Sequence, residues 1–266
     1  MENKQRVVVV TGASSGIGEI VAKYFLQKGD KVFGLSRKIK EELEYEQISC
    51  DVTNVEQVKS AISQIIQKEG KIDVLINNAG MGISGSIENQ KLEDIKKIFD
   101  VNFFGAVNVT QAVLPHMRDN GGGKIINTSS LAGFIPIPFQ SFYSATKSSL
   151  DIWAKALRLE TKQFNIDICN VVLGDTKTNF TSSRQKSPTD IGTVYEQVVD
   201  KSIKKMEKDE QNGQNPLGVA KIMYKLSLKR KMPASKVVGF GYKTLSFLAK
   251  ILPQKLMLYV VSKLYT

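Results

Sequence analysis

The strongest constraint on this chain is an alternation that runs through its first 180 residues. "RVVVVTG" (residues 6–12) is a short apolar run rich in β-branched side chains and closed by glycine. "IGEIVAKYFLQKG" (17–29) then spaces its apolar residues at helical intervals. "KVFGLS", "QISCD", "IDVLINN", "GKIINTSS" and "IDICNVV" repeat the strand pattern. Helical stretches near Val55–Glu69, Leu92–Met117 and Phe142–Phe164 separate them. Continuous apolar strands between amphipathic helices predict an α/β fold, a doubly wound parallel sheet with helices on both faces. At 266 residues the chain is long enough for one such domain.

Charge is distributed unevenly. The formal net charge is +11, yet residues 1–210 carry 27 basic and 26 acidic groups. The last 56 residues hold ten Lys/Arg and no acid, so the excess belongs to the C-terminal segment. No recognisable nucleic-acid-binding module accompanies it, and no nucleic-acid partner is expected. Cys50 and Cys169 lie in or beside apolar strand-like runs and read as buried thiols of a reducing compartment, hence a cytoplasmic protein. The single histidine, His116, excludes a His-rich metal site. "MENKQRVVVV" leads directly into a strand without a secretory h-region, and no uncharged apolar stretch is long enough to span a bilayer.

"VVVVTGASSGIGEI" sets Gly12, Gly16 and Gly18 at the junction of the first strand and first helix. Glycines there let the backbone approach a pyrophosphate, and the helix N-terminus offers free N–H groups to it. The second strand ends "GLSRK", placing Ser36, Arg37 and Lys38 where an acidic residue would select NAD. A guanidinium can grip a 2′-phosphate bidentately, which favours NADP(H). The competing role for these cations is charge pairing with the acidic "KEELEYEQ" segment, read as a helix.

Four segments, "TGASSGIG" (11–18), "NNAG" (77–80), "NTSS" (127–130) and "YSATK" (143–147), occur in the order and spacing of the short-chain dehydrogenase/reductase family. The chain resembles that family from about residue 6 to 180. The resemblance implies a Rossmann-like sheet of about seven strands and an NADP(H)-dependent oxidoreductase that needs no metal. It implies that Tyr143 is the general acid/base, acidified by Lys147 one helical turn on, with Lys147 also holding the nicotinamide ribose. Ser130 matches the serine that hydrogen-bonds the substrate oxygen, with Ser129 a weaker match. Asn102 in "DVNFFG" matches the asparagine that positions a water beside the lysine. Cofactor contacts carried over are Gly12, Ser14, Ser15, Gly16, Ile17, Gly18, Ser36, Arg37, Lys38, Asp51, Val52, Asn78, Ala79, Gly80, Gly174, Thr176 and Thr178. Leu173 stands where the family usually has proline.

After Gly174 a polar, turn-rich stretch leads into the helical "TVYEQVVDKSIKKMEKD", so residues 175–215 read as a substrate loop or lid. Residues 1–241 are expected to form the catalytic domain and 242–266 a basic amphipathic extension. In "TLSFLAKIL" and "QKLMLYVVSKLY" apolar residues recur at helical spacing between lysines. Such a pair can lie on an anionic membrane through residues 243–265, cover the pocket, or join subunits. It resembles the extensions of family members acting on steroids, retinoids and other lipids. The expected substrate is therefore a hydrophobic alcohol or ketone, with Phe180, Met206 and the tail's leucines near the pocket mouth. Small polar ketones, sugars or acyl thioesters are the enzymatic alternative, and a non-catalytic dinucleotide sensor or scaffold the other. The resemblance also implies a homodimer or homotetramer joined through the Leu92–Met117 and Phe142–Phe164 helices.

Overall fold

A computed structural model of the chain describes residues 5–178, 180–186 and 188–265. The apolar runs read from the sequence become strands β1 (Val7–Thr11), β2 (Lys31–Ser36), β3 (Glu46–Ser49), β4 (Val74–Asn77), then, past a short β5 (Ile83–Ser84), β6 (Gly123–Ser130) and β7 (Ile166–Leu173). With β9 (Ser235–Val237) they make one parallel sheet in the order β3-β2-β1-β4-β6-β7-β9. β5 pairs instead with β8 (Gln185–Lys186) in a separate two-stranded ribbon. The seventh strand, hidden in "ASKVVGF", is only three residues long and too brief to carry a period of its own.

Helices cover both faces, as strands buried on both sides require. α1 (Gly16–Gln27) and α8 (Pro216–Ser227) close one face around Val8, Val10, Phe25 and Met223. α2 (Val55–Glu69), α4 (Gly105–Asp119) and α5 (Ser141–Glu160) close the other around Val9, Leu75, Ile62, Val113 and Ile125. α3 (Leu92–Phe99) joins α4 through a π-helical turn, Asp100–Phe104, so the predicted Leu92–Met117 helix is interrupted at its middle. α6 (Phe180–Ser183) and α7 (Glu196–Gln211) form the expected substrate segment, and α9 (Phe240–Ile251) and α10 (Gln254–Tyr265) the tail.

"KEELEYEQ" is not a helix. Glu41 and Glu42 form a turn, and Glu46 already begins β3. Leu43 and Tyr45, two residues apart, both enter the core, an i, i+2 pattern a helix cannot bury on one side. The Tyr45 hydroxyl donates to Ala13 O at 2.6 Å and so ties this segment to the loop after β1.

The chain leaves β1 toward β2 and β3, then crosses over to β4, β6, β7 and β9 on the other side. The carboxyl ends of β1 and β4 therefore flank a topological switch point, where ligands of open α/β sheets bind.

Candidate active site

Both walls of that crevice are built from the first and second motifs of the sequence. Gly12 has φ +64°, and a Cβ on it would come within 2.8 Å of Ala79 Cα. Gly18 lies so close to Gly12 O that a Cβ would sit 2.3 Å away. The two glycines thus let the loop, the helix and "NNAG" touch. Thr11 locks the contact: its hydroxyl accepts from Asn78 N at 2.9 Å and Ala79 N at 3.0 Å. Thr11 was missed as a functional position; its place inside the quoted motif was the available signal.

Ser15 occupies the N-cap of α1 in an extended conformation, yet its side chain makes no capping bond. The first N–H groups of α1 and that hydroxyl are left for another acceptor. Gly16 has φ +57°, and the nearest atom to a Cβ there is Thr178 Cβ at 3.8 Å. An anion fits such a cradle.

The crevice opens into a cavity of about 1040 Å³. Of the residues carried over from the resemblance, Gly12, Ser14, Ser15, Gly16, Ile17, Ser36, Arg37, Lys38, Asp51, Val52, Asn78, Ala79, Gly80, Ser130, Tyr143, Lys147, Gly174, Thr176 and Thr178 all line it. Gly18 and Asn102 stand behind the wall. Arg37 and Lys38 are exposed. Lys40, not Arg37, takes the nearby carboxylates of Glu19 and Glu42, at 3.7 and 3.9 Å. Among the described residues no acid pairs with Arg37 or Lys38. Asp51 turns inward on its own loop, accepting from Thr53 N at 2.9 Å and Thr53 Oγ1 at 2.8 Å.

At the other end, Ser130 ends β6 while Tyr143 and Lys147 rise one turn apart from α5. Lys147 is buried, donates from Nζ to Thr128 O at 2.9 Å, and sits 5.7 Å from the centre of the Tyr143 ring. Asn102, in the π-helical turn, is pinned by Met81 through two bonds, accepting from Met81 N at 2.7 Å and donating to Met81 O at 2.9 Å. It also donates to Thr146 Oγ1 at 3.2 Å, which joins the turn to α5 beside Lys147.

Burial is the largest influence on the Tyr143 phenol. Enclosure by protein pushes the phenol up to about 12; a hydrogen bond with Ser130 opposes that, and the carboxylates of Glu210 and Asp175 add to it. Lys147 is itself brought down to about 8 by burial. The Lys147 ammonium is turned to Thr128 O.

A model of the short chain dehydrogenase family matches residues 6–189. The chain belongs to the short-chain dehydrogenase/reductase family. It is 40% identical over 263 residues, 98% of both chains, to a 3-ketodihydrosphingosine reductase of Bacteroides thetaiotaomicron. It is 35% identical, over 93% of both chains, to a probable short-chain type dehydrogenase/reductase of Helicobacter pylori. Among solved structures, a short-chain dehydrogenase from Streptomyces avermitilis superposes with TM-score 0.81 at 28% identity, covering 91% of this chain and 92% of that one. A 3-ketoacyl-(acyl-carrier-protein) reductase from Brucella melitensis, complexed with NADH, superposes with TM-score 0.71 at 25% identity over 88% of this chain and 96% of that one.

As a short-chain dehydrogenase the protein is an oxidoreductase using a nicotinamide dinucleotide, and the loop, α1 and "NNAG" fit that group. Where other members carry proline, Leu173 is the last residue of β7, buried and paired in register with Ser130. Phe180 packs its ring 5.9 Å from that of Tyr143, and Met206 is buried in the cavity wall. Leu245, Leu248, Leu252 and Leu264 of the tail line the same cavity. The 175–215 segment is tied to the β5 region, for the buried Asp190 accepts from Ser86 N at 3.0 Å and Asn89 Nδ2 at 2.9 Å.

Proposed function

We propose that this short-chain dehydrogenase is an NADPH-dependent reductase of long-chain ketones, and that a long-chain base ketone such as 3-ketodihydrosphingosine is its substrate. The observation that carries this reading is the shape of the cavity. Its polar end holds Ser130, Tyr143 and Lys147, and its far wall is apolar side chains of α9 and α10. A ketone placed against the first would lay its chain along the second. The 40% identical relative named for that substrate supports the same reading. A sugar would leave hydroxyls unpaired against the leucines of the tail.

When bound, the reduced dinucleotide supplies hydride to the carbonyl carbon. The chain's own groups hold and protonate the oxygen. Ser130 donates a hydrogen bond to it, and Tyr143 gives up its phenolic proton. A phenol whose proton is retained at neutral pH is the right starting state for an acid. Lys147 then faces the phenolate and draws its pKa down, and Asn102 holds the turn that backs α5. Arg37 and Lys38, unpaired among the described residues, would take the 2′-phosphate.

The reading is tested by following NADPH absorbance with 3-ketodihydrosphingosine, a steroid ketone, a sugar ketone and a 3-oxoacyl thioester. Turnover of the long-chain ketone is expected, and its loss by roughly 100-fold or more in Tyr143→Phe with NADPH still bound. Preference for the sugar or thioester, or an unimpaired Tyr143→Phe, overturns it.

We infer further that the tail rests on an anionic bilayer. Phe240, Phe247, Ile251 and Tyr259 are 86%, 62%, 59% and 60% exposed, and Lys243, Lys255 and Lys263 flank them with no acid in either helix. No helix among the described residues is long and apolar enough to cross a membrane, so contact would be peripheral. Phe104, Ile152 and Leu159, exposed on the two stretches expected to join subunits, support a homodimer or homotetramer.

A further inference from the structure

The substrate end of the cavity carries a charge that its lipid-like walls do not explain. Of the charged side chains lining the cavity, Arg37, Lys38 and Asp51 lie at the end formed by β2 and β3, leaving Lys147, Asp175 and Glu210 near Tyr143. The Glu210 charge is already matched: Arg184, buried, pairs with it, and Thr181 Oγ1 donates to it at 2.6 Å. Lys147 is directed to Thr128 O. Asp175 is left over. It is half-buried, and its side chain accepts from the Tyr242 hydroxyl at 3.1 Å and from its own backbone N–H. No lysine or arginine among the described residues pairs with it.

A carboxylate can accept about four hydrogen bonds, and one held in an apolar enclosure without a cation is costly. Burial and the neighbouring carboxylates of Asp209 and Glu210 duly hold its pKa above the usual range. Its charge also reaches the Tyr143 phenol, which places it within electrostatic range of the reacting group. In a protein of net charge +11, an uncompensated acid at this spot is an invitation to a positive ligand.

We propose that Asp175 is the counter-ion for an ammonium group borne by the substrate near the carbonyl that Ser130 and Tyr143 receive. This rests on the long-chain ketone reading above and narrows it to long-chain amino ketones. The same carboxylate repels anionic lipids, so fatty acids and other carboxylates are excluded by charge although their chains would fit.

The test compares three ketones of equal chain length under identical detergent conditions: 3-ketodihydrosphingosine, its N-acetyl derivative, and the ketone with the amine removed. The wild-type protein should favour the free amine by roughly 10- to 100-fold in kcat/KM, the range of one charge-assisted contact. In Asp175→Asn that ratio should collapse toward unity, with NADPH binding by fluorescence showing that the variant is folded. Equal wild-type efficiency on all three ketones overturns the ammonium site and leaves the ketone reductase intact. Inactivity on all three overturns the reductase reading and the site with it. A preference that survives in Asp175→Asn, or a loss equal on all three ketones, assigns Asp175 a structural role and ends the proposal. Should that variant fail to fold, the wild-type comparison of free and acetylated amine decides alone.

Discussion

The Tyr242 ring lies across Gly174 so closely that a Cβ on the glycine would come within 2.3 Å of it, while the Tyr242 hydroxyl donates to Asp175. One aromatic side chain of the tail thus seats α9 on the segment that carries Gly174, Thr176 and Thr178.

Gly174→Ala should therefore destabilise the protein by about 1–3 kcal/mol, the usual range for overpacking. Tyr242→Ala removes the obstacle, so the double variant should lose less than the sum of the two single losses. Urea melts of the four proteins measure the coupling; strict additivity would mean the two residues do not meet.

Lys147 contributes a stability change with pH whose sign is opposite to that of a salt-bridged lysine. Its folded pKa of about 8 lies below the ordinary lysine value of 10.5, so between those limits the unfolded chain binds more protons. The destabilisation is full below about pH 8 and is relieved as pH rises toward 10.5. Lys147→Met should remove that slope and stabilise the cofactor-free protein by about 2 kcal/mol at pH 7: roughly 3 for the pKa difference less about 1 for the lost bond to Thr128 O. Activity should be lost at the same time. Thermal melts between pH 7 and 10 check both the slope and its disappearance.

Arg37 stands exposed at the end of β2 with no acidic partner among the described residues. Arg37→Asp should lower the ratio of NADPH to NADH efficiency by roughly 100-fold, since a bidentate grip on a phosphate is replaced by repulsion. Steady-state kinetics with both cofactors gives the ratio, and an unchanged value would discredit the phosphate assignment.

The proposed membrane contact can be tested apart from the cavity wall because the exposed Phe240, Phe247, Ile251 and Tyr259 of α9 and α10 are not among the side chains that line the cavity. Replacing Phe240, Phe247, Ile251 and Tyr259 together by serine should abolish sedimentation with anionic liposomes, each buried apolar side chain being worth about 1.5–3 kcal/mol. Binding of the wild-type protein should weaken with added salt. If neither protein sediments, the membrane reading is overturned.

Much of the catalytic domain was readable because its signals are local. Continuous apolar strands, the glycine spacing after β1 and the Tyr143–Lys147 turn each involve residues within a few positions of one another, where backbone geometry sets the pattern. The seventh strand was not, because three residues hold no period, and "KEELEYEQ" misled because its charges suit a helix while Leu43 and Tyr45 answer to the core. The interruption at Asp100–Phe104 is invisible in a run whose apolar spacing continues through it.

The residue types at the reacting end were set by sequence, but not their electrical state. Lys147 follows Tyr143 by one turn whatever else happens, whereas the direction of its ammonium depends on Thr128, nineteen residues away. Asp175 shows the same division more sharply. In the chain it is an ordinary acid in a polar stretch; it becomes an enclosed acid without a lysine or arginine partner among the described residues because Tyr242, 67 residues on, folds back over Gly174, and because Arg184 pairs with Glu210. Periodicity and motif are properties of neighbours along the chain, while solvation and charge balance are properties of neighbours in space.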